Sequence, residues 1–402
     1  MHAAIVVTAF LLGWLVYLVV ERLRLDRHRE AVPLRIAVTG TRGKTTVVRR
    51  LAAVLSQDGR RVLAKTTGSE AAYLFPDGSV QEIHRLGAPS IIEQKRLLRR
   101  GADLGVDVVL AEVMSLHPEN HRVEVQEILR PHLVLLTNFR VDHVEAQGTT
   151  REEVASVLAL DVPSGARVLV PEEEMEEVFR QRVMQEGAHL EAVPAGAGRL
   201  PEGTLPRIGS RGFGPNLDLI WAAARHLGVE DEVIMEGLRH SQEDLGALKS
   251  WRYRHGPDHA PWLLVNAFAA NDPESTLRIY DRISREEGIG PPDCVGLLSL
   301  RGDRGDRSLQ WAEALEAGAL TRFRKLFVAG LHARAVKHRL DRGRRPGPPV
   351  EVLKPEAPAD TLDRLLEGEG PEGGVLFGFG NIHGLGRTLV KHWGKVGEAH
   401  GT

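Results

Sequence analysis

The feature that most constrains the fold is a glycine-rich turn near the start of the chain, Gly40-Thr-Arg-Gly-Lys-Thr-Thr46. It follows an apolar run, Ile36–Val38, that is typical of a buried strand, and it precedes an amphipathic helix pattern. Consecutive backbone N–H groups at such a turn cradle phosphate oxygens at the helix N-terminus. The turn therefore predicts a nucleotide-binding α/β fold. The alternative is a strand-to-helix turn whose glycines only relieve backbone strain. The Lys-Thr-Thr sequence after Gly43 disfavours that alternative.

Three side chains of this turn have predicted roles. Lys44 is predicted to reach the β and γ phosphates, and Thr45 to place its hydroxyl on Mg²⁺. Thr46 is predicted to bond a phosphate or to cap the helix. The general phosphate-binding loop has a glycine five positions before its Gly-Lys pair, where this chain has Val38. The turn is therefore a shorter variant of that loop.

Beyond the turn, apolar runs alternate with amphipathic segments, as in a mostly parallel sheet covered by helices. Two capping signals, Ser90 with Glu93 and Thr150 with Glu153, predict helix starts. The predicted strands are Leu34–Thr39, Arg61–Thr67, Val106–Val113, His132–Asn138 and Arg167–Val170, followed in a second block by Trp262–Phe268, Cys294–Leu300, Lys325–Ala329 and Val375–Phe379.

The N-terminus carries an uncharged apolar run, Ala3–Val20, that is just long enough to span a bilayer. An arginine-rich segment, Glu21–Arg29, follows it, whereas a secretory signal carries its positive charge before the apolar run. An uncleaved anchor is the better interpretation, and a buried or interfacial helix is the alternative. Because arginines stay on the cytoplasmic side, we expect a single-pass membrane protein with cytoplasmic catalytic domains.

Composition excludes some functions. The 52 basic and 54 acidic residues leave a formal charge of -2, so we expect no nucleic-acid partner. The single cysteine, Cys294, cannot form an internal disulfide, which suits the cytoplasm, and its place in an apolar run predicts a core residue.

Together these patterns predict an α/β fold class in four segments. A transmembrane anchor (1–21) and a basic juxtamembrane linker (22–33) precede a central ATP-binding domain (34–249) whose mostly parallel sheet is of the P-loop NTPase type. A smaller, Rossmann-like α/β domain (250–402) follows.

The turn also carries a family resemblance. Gly40–Thr46 resembles the Gly-Thr-x-Gly-Lys-Thr-Thr loop of the Mur ligase superfamily, a family of ATP-dependent amide ligases. In Leu110-Ala-Glu-Val-Met-Ser115, Glu112 stands where the family places its Mg²⁺-binding glutamate. Thr137-Asn-Phe-Arg-Val-Asp-His143 resembles the motif whose histidine is a second metal ligand. The resemblance implies a central domain of the Mur ligase kind.

A fourth segment, Gly214-Pro-Asn-Leu217, resembles the family's His-Asn motif at the adenine, with Asn216 retained and Pro215 in place of the histidine. Independently of the resemblance, Glu112 and His143 fall at the carboxyl ends of predicted parallel strands, which is where open α/β sheets bind ligands. Singly, each has an ordinary alternative, a helix cap for Glu112 and a surface or core histidine for His143.

Within the superfamily, the chain is most similar to the membrane-bound ligase subunit of poly-γ-glutamate synthase. Its loop directly follows the anchor, with no room for the uridine-nucleotide domain of peptidoglycan ligases. The segments Lys65-Thr-Thr-Gly-Ser-Glu70, Asn266-Ala-Phe-Ala-Ala-Asn-Asp-Pro-Glu-Ser-Thr276 and Leu298-Ser-Leu-Arg-Gly-Asp-Arg304 also resemble that subunit.

A carbamylated lysine found in most peptidoglycan ligases has no counterpart, because no lysine lies between Lys95 and Lys249. Either another group bridges a second metal, or only one Mg²⁺ is used for part of the cycle.

The resemblance implies a set of site residues. The expected catalytic residues are Lys44, His143 and Asp272, and the expected metal ligands are Thr45, Glu112 and His143. The expected nucleotide-binding residues are Gly40, Thr41, Arg42, Gly43, Lys44, Thr45, Thr46, Asn138, Asn216, Arg252 and Asn271. Arg301, Asp303 and Arg304 could hold an acidic substrate or phosphate, and an exposed salt-bridged turn is the alternative.

It also implies an activity. An ATP- and Mg²⁺-dependent ligase would activate a glutamate carboxylate as an acyl phosphate and join it to the amine of another glutamate, making poly-γ-glutamate. The implied partners are glutamate or its polymer and other membrane subunits of a synthase complex. One alternative is a folylpolyglutamate synthase-like ligase, which the apolar span fits poorly. Another alternative is a membrane-tethered P-loop ATPase that drives a partner. The sequence does not favour it, because it contains no recognisable Walker B motif.

Overall fold

The computed structural model describes residues 2–68, 71–85, 87, 89–142, 144–197, 214–241, 248–256, 260–270, 272–342, 348–368 and 373–400. Within them the chain forms two compact units, residues 2–197 with 214–241 and residues 248–400. Each unit has its own sheet and core.

The elements of the first unit alternate as expected. Its helices are α1 (His2–Glu30), α2 (Lys44–Gln57), α3 (Ile92–Leu104), α4 (Pro118–Arg122), α5 (Val144–Gln147), α6 (Arg151–Leu158), α7 (Glu177–Gln185), α8 (Gly214–His226) and α9 (Asp231–Arg239), with a π-helix at Val123–Leu129. Its strands are β1 (Leu34–Thr39), β2 (Val62–Thr66), β3 (Ala72–Leu74), β4 (Val80–Glu82), β5 (Val108–Glu112), β6 (Leu133–Leu136), β7 (Arg167–Pro171) and β8 (His189–Val193).

The described strands of this unit form one sheet in the order β4-β3-β2-β5-β1-β6-β7-β8. From β2 to β8 neighbouring strands are parallel, and β3 and β4 extend one edge as an antiparallel hairpin. In the centre, Val38 of β1 is paired with Glu112 of β5, and Thr39 with Leu136 of β6. The ends of three parallel strands therefore meet beside the glycine-rich turn.

Helices cover both faces of this sheet. α3 and the π-helix pack with Leu63, Val109 and Ala111 in one hydrophobic cluster. Since successive strand residues point to opposite faces, the intervening side chains face the layer of α2, α8 and α9, which pack together.

All the predicted strands of the first unit are present, with ends that differ by at most two residues. The predicted capping box at Thr150 is confirmed, because its hydroxyl and the Glu153 carboxylate each bond the other's backbone. The helix start predicted at Ser90 is confirmed to within two residues, since α3 begins at Ile92, but the capping box itself is wrong. Ser90 accepts a hydrogen bond from the Ile92 N–H, but the Glu93 carboxylate instead binds Lys65 and Arg85.

The second unit also contains one sheet. Its helices are α10 (Pro273–Glu287), α11 (Gly305–Glu316), α12 (Ala333–Arg342), α13 (Pro358–Leu366) and α14 (Arg387–Val396). Its strands are β9 (Lys249–Tyr253), β10 (Trp262–Ala267), β11 (Cys294–Ser299), β12 (Lys325–Ala329), β13 (Val350–Leu353), β14 (Gly374–Phe379) and β15 (Glu398–His400).

The strand order is β13-β12-β11-β14-β10-β9-β15, parallel from β13 to β10, with β9 and β15 antiparallel. Cys294 is buried in β11, as predicted. Lys249 is the first residue of β9 and so belongs to this sheet. The domain boundary predicted between residues 249 and 250 stays a prediction.

α1 is the one described helix that is long and apolar enough to cross a membrane, with a mean hydropathy of 1.9 and no burial over its apolar window. It continues without a break to Glu30. Residues 22–30, predicted as a linker, are therefore helical.

Replacing Gly237 of α9 by alanine is expected to destabilise the first unit by about 1–3 kcal/mol. A Cβ there would lie 2.5 Å from the Cα atom of Val54 on α2. The matched control is Gly394→Ala in α14, where the nearest atom is 3.8 Å away; we expect it to be neutral or stabilising by up to about 1 kcal/mol. Calorimetric unfolding midpoints measure both effects. Equal midpoints for the two variants would contradict the close packing of α9 on α2.

Candidate nucleotide and metal site

The glycine-rich turn is pressed against the end of β6. Gly40 has φ +115°, and a Cβ there would lie 2.2 Å from Thr137 Oγ1. The Thr137 hydroxyl and N–H both donate to the carbonyl oxygen of Thr39, at 3.2 and 3.0 Å. Only glycine combines this conformation with so close an approach.

Asn138 ties the turn to the sheet through its side chain. Its Oδ1 accepts hydrogen bonds from the Thr41 hydroxyl at 2.7 Å and from the Arg42 N–H at 3.3 Å. Its Nδ2 donates to the Arg42 carbonyl at 2.9 Å, and the residue is buried. The amide therefore sets the shape of the loop.

On its other side the turn touches α8. Gly43, with φ +83°, leaves no space for a side chain, because a Cβ would lie 2.3 Å from Asn216 Nδ2. Asn216 is buried, and its Oδ1 has no hydrogen-bond partner among the described residues. A buried acceptor of this kind costs about 1–3 kcal/mol unless a ligand or water satisfies it.

Lys44 and Thr45 begin α2, directly after the turn. The Lys44 ammonium donates to the Gly40 carbonyl at 2.6 Å, which places it over its own loop. The Thr45 hydroxyl donates to Glu112 Oε2 at 2.9 Å. The loop and the predicted metal-binding glutamate are thus brought together.

The turn after β2 completes this cluster. Thr67 donates its N–H to Glu112 Oε2 at 2.8 Å. Gly68 follows, and a Cβ there would lie 2.2 Å from Thr45 Oγ1. This contact explains why a glycine stands at position 68, which sequence alone did not explain.

The donors here fit a hard divalent cation, because the hydroxyl of Thr45 and the carboxylate of Glu112 are oxygen ligands. Glu112 is buried, and its hydrogen bonds hold the carboxylate in place. No three His, Cys, Asp or Glu side chains converge in the part of the chain that the structure describes. His143, the third predicted ligand, lies outside the described residues, so its metal role stays a prediction.

Arg42 extends from the loop to the end of the following motif. Its guanidinium lies 3.2 Å from the carboxylate of Asp142, the residue before His143. This ion pair links two motifs that are about a hundred residues apart in the chain.

A buried polar network that sequence reasoning missed supports Glu112 from behind. The carboxylate of Glu124 accepts hydrogen bonds from the Ser115 hydroxyl and the Gln94 amide, both at 2.5 Å. Gln94 also donates to the Glu112 carbonyl at 3.1 Å. Burial raises the pKa of Glu124, and the hydrogen bonds from Ser115 and Gln94 oppose that rise. No feature of the sequence distinguished Glu124 from the other acidic residues in predicted helices.

A second missed group lies behind the end of β1. The Thr39 hydroxyl donates to Asp161, whose other oxygen is 2.8 Å from His121 Nδ1. All three residues are buried. Burial by itself lowers the pKa of His121, but the Asp161 carboxylate outweighs it, so the pKa is raised. The residue immediately before the loop is thereby anchored.

A third group lies at the end of β2. Lys65 is fully buried, with its ammonium 3.1 Å from the Glu93 carboxylate, which also receives two hydrogen bonds from Arg85 at 2.7 and 2.9 Å. Burial lowers the pKa of Lys65, and Glu93 opposes that change. Burial alone raises the pKa of Glu93, but the two cations reverse this and hold it at about 2.

Three predicted catalytic or nucleotide-binding residues belong to the second unit, Arg252, Asn271 and Asp272. Asp272 caps α10, accepting a hydrogen bond from the Ser275 N–H at 2.7 Å. Arg252 lies exposed on β9, and Asn271 lies outside the described residues. Their predicted catalytic and nucleotide roles stay predictions.

Arg301 and Asp303 form an exposed, two-bonded ion pair at 2.8 and 2.5 Å, and Arg304 directly precedes α11. The hydrogen bonds from Arg301 lower the pKa of Asp303. The ion pair is present as the salt-bridged turn predicts, and the substrate role of Arg301, Asp303 and Arg304 stays a prediction. At the end of β14, Gly378 is closely packed, because a Cβ there would lie 2.4 Å from the ring of Phe268.

Two family models match the chain. The Mur ligase middle domain matches residues 38–170, which contain the loop and Glu112. The poly-gamma-glutamate synthase CapB C-terminal domain matches residues 252–395, nearly all of the second unit.

Relatives match along almost the whole length. The chain is 26% identical over 379 residues to the PGA synthase CapB of Bacillus subtilis (strain 168), covering 93% of each chain. It is 26% identical to the capsule biosynthesis protein CapB of Bacillus anthracis, covering 91% of this chain and 77% of that protein.

Among solved structures, a bifunctional folylpolyglutamate synthase/dihydrofolate synthase from Yersinia pestis, complexed with AMPPNP and Mn ion, aligns with a TM-score of 0.67. The alignment covers 96% of this chain and 97% of that one at 17% identity. At that identity the likeness shows a shared fold.

Asn138→Ala is expected to weaken ATP binding by about 1–3 kcal/mol, or roughly five- to 150-fold in the dissociation constant. The substitution removes all three side-chain hydrogen bonds that shape the loop. Titration calorimetry with ATP measures the change, and Asn120→Ala, at an exposed position of α4, is the control. Unaltered affinity in Asn138→Ala would show that the loop holds its shape without this amide.

Glu93→Gln is expected to destabilise the protein in a pH-dependent way. The folded pKa of Glu93, about 2, lies below the ordinary 4.5, so its stabilisation is complete above pH 4.5 and is lost as the pH falls toward 2. The difference in unfolding free energy between wild type and variant, on the order of 2 kcal/mol, should therefore be constant from pH 7 to 5 and shrink below 4.5.

Urea unfolding followed by tryptophan fluorescence measures this difference. The control is Glu119→Gln, at an exposed helical position, which should have little effect at any of these pH values. A Glu93→Gln difference that stays the same from pH 7 to pH 3 would contradict the assigned ion-pair cluster.

Proposed function

We propose that the chain is an ATP-dependent ligase of the Mur ligase superfamily that joins glutamate units into poly-γ-glutamate, as its two domain matches and its relatives along almost the whole length support. The geometry that carries this proposal is the contact of Thr45 Oγ1 with Glu112 Oε2 at 2.9 Å, at the end of a phosphate-binding loop. The CapB C-terminal domain match in the same chain supports the choice of glutamate polymer.

The nucleotide is proposed to bind along the loop. Backbone N–H groups of Gly40–Thr46 receive its phosphates, and the Lys44 ammonium moves from the Gly40 carbonyl to the β and γ phosphates. The free Oδ1 of Asn216 offers an acceptor on the α8 side of the loop. Arg252 and Asn271 are also proposed to bind the nucleotide.

The metal is proposed to be Mg²⁺, held by Thr45, Glu112 and His143. When bound, it neutralises charge on the phosphate oxygens. Glu112 is prepared for this by the N–H of Thr67, which orients the carboxylate.

The chemistry is proposed to run in two displacements. A glutamate carboxylate oxygen attacks the γ-phosphorus, the bond from phosphorus to the β–γ bridging oxygen breaks, and ADP leaves. The amine of a second glutamate then attacks the acyl carbon, and phosphate leaves with the C–O bond electrons while the amine loses a proton. Lys44, His143 and Asp272 are the proposed catalytic residues, and Arg301, Asp303 and Arg304 the proposed substrate contacts.

We further propose that α1 anchors the protein in the cell membrane, with both units in the cytoplasm, and that other membrane subunits complete a synthase. The apolar, unburied stretch of α1 and the exposed arginines that follow it support this placement. Folylpolyglutamate synthase-like chemistry is a second candidate, favoured by the shared fold with the Yersinia pestis enzyme.

Purified protein with ATP, Mg²⁺ and a panel of amino acids should release phosphate only when glutamate is present, and should form polymer. Lys44→Ala is expected to abolish both products without changing the circular dichroism spectrum, because it removes the cation that stabilises the transferring phosphoryl group. Lys337→Ala, at a surface pair with Asp341, is the control. Normal ligation by Lys44→Ala would overturn the proposal, and hydrolysis that is independent of any amino acid would favour a partner-driving ATPase.

A further inference from the structure

α1 has two halves in different environments. From Ile5 to Val20 its side chains are exposed and apolar, apart from small and hydroxyl residues. From Glu21 onward it lies on the first unit, where Leu25 is buried in a hydrophobic cluster with Leu97 and Leu98 of α3. The helix is continuous through both halves.

The second half is tied down by polar contacts as well. Glu21 forms an ion pair with Lys95 of α3. Arg29 donates a hydrogen bond to the carbonyl of Glu127, at 2.7 Å, in the π-helix. Arg22 lies 3.4 Å from the Glu127 carboxylate.

The connection from α1 to the sheet is equally restrained. Arg35, on β1, donates to the carbonyls of Arg29 at 2.8 Å and Val32 at 3.0 Å. The Leu34 N–H donates to the Asp107 carbonyl at 3.1 Å. No flexible linker separates α1 from β1, since residues 31–33 are all described and held between these bonds.

The contacts also fix the direction of α1. Glu21 meets Lys95, Leu25 meets Leu97 and Leu98, and Val32 lies against Gly101, so α1 and α3 run parallel, with Glu21 beside the start of α3. The start of α3 lies at the carboxyl ends of the strands, because the Gln94 side chain donates a hydrogen bond to the carbonyl of Glu112, the last residue of β5.

The other end of α3 lies where the strands begin. There the guanidinium of Arg61, just before β2, donates to the Leu104 carbonyl at 2.8 Å. The membrane-side end of the docked half is therefore the same end of the unit as the nucleotide loop and Glu112.

We propose that α1 is a rigid mount that holds the first unit on a lipid bilayer with its nucleotide-loop end nearest the membrane. This rests on the proposed membrane anchoring of the ligase. The stretch Ala3–Val20 spans about 27 Å of helix, close to the hydrocarbon thickness of a bilayer. Glu21 and the start of α3 then lie at the headgroup layer, where the exposed Arg22, Arg24 and Arg27 match anionic lipids.

The consequence concerns the product. A polymer made at the loop end emerges beside the membrane, where membrane subunits can receive it, and the start of the sheet faces away. A flexible tether would give no such preference, because the unit could rotate freely about it.

A pair of probes on α3 tests the orientation. Ile92 and Leu104 are exposed residues at its two ends, about 18 Å apart along the helix. In full-length Ile92→Cys and Leu104→Cys, a thiol-reactive fluorophore labels the new site, since Cys294 is buried; labelled wild type gives the background. In vesicles containing lipids with a nitroxide headgroup, we expect the probe at 92 to lose most of its fluorescence and the probe at 104 to keep most of it.

A second variant tests the rigidity. Gly-Ser-Gly-Ser inserted between Val20 and Glu21 should leave the protein on the vesicles but bring the quenching at the two positions to similar values. Equal quenching without the insertion, stronger quenching at 104, or an unchanged difference with the insertion would each overturn the proposal.

Flotation of the labelled protein with the vesicles tests the anchor separately, and failure to float would overturn both the anchor and the mount. Glutamate-dependent phosphate release is assayed on the same samples. A protein that lacks this activity yet shows the quenching difference would refute the ligase and leave the mount standing.

Discussion

The close approach of the β1 and β6 ends is the constraint on which the site depends. Gly40 leaves room for Thr137, and the Asn138 amide then bonds the loop at three points. Because Asn138 is buried, leaving one of its side-chain hydrogen bonds unmade costs the desolvation of that polar atom. The loop is therefore shaped by the neighbouring strand as well as by its own glycines, and it is presented as an organised phosphate cradle on a rigid sheet.

The polar groups behind this cradle form one supporting layer. Thr45 and Thr67 hold the Glu112 carboxylate, while Gln94 and Glu124 hold the strand end from which it projects. Such a layer is useful to a ligase, because an acyl phosphate must meet an amine in a fixed geometry before water reaches it. The packing of α1 on α3 fixes the direction of this helix relative to the first unit.

Much of the fold could be predicted from local patterns. Runs such as Ile36–Val38 and Leu326–Ala329 are continuous and apolar because both faces of a parallel sheet are covered, so they can be recognised in the sequence. The edge strands β4 and β8 were not predicted, since they are short and mostly exposed and carry little apolar signal. Residues 22–30, predicted as a linker, are helical because Leu25 packs in the hydrophobic core of the first unit. The box at Ser90 failed because Glu93 has a stronger partner in the buried Lys65.

The sequence by itself determined the loop, the order of the motifs and the apolar helix, because each depends on residues that are neighbours in the chain. The resemblance to the Mur ligase superfamily rested on that same order, and the two domain matches agree with it. Only the tertiary structure decided that Asn138 shapes the loop, that Thr67 and Gly68 close around Thr45 and Glu112, and that the second half of α1 packs on α3. These features depend on contacts between residues far apart in the chain, whose distances arise only when the strands pair and the helices pack.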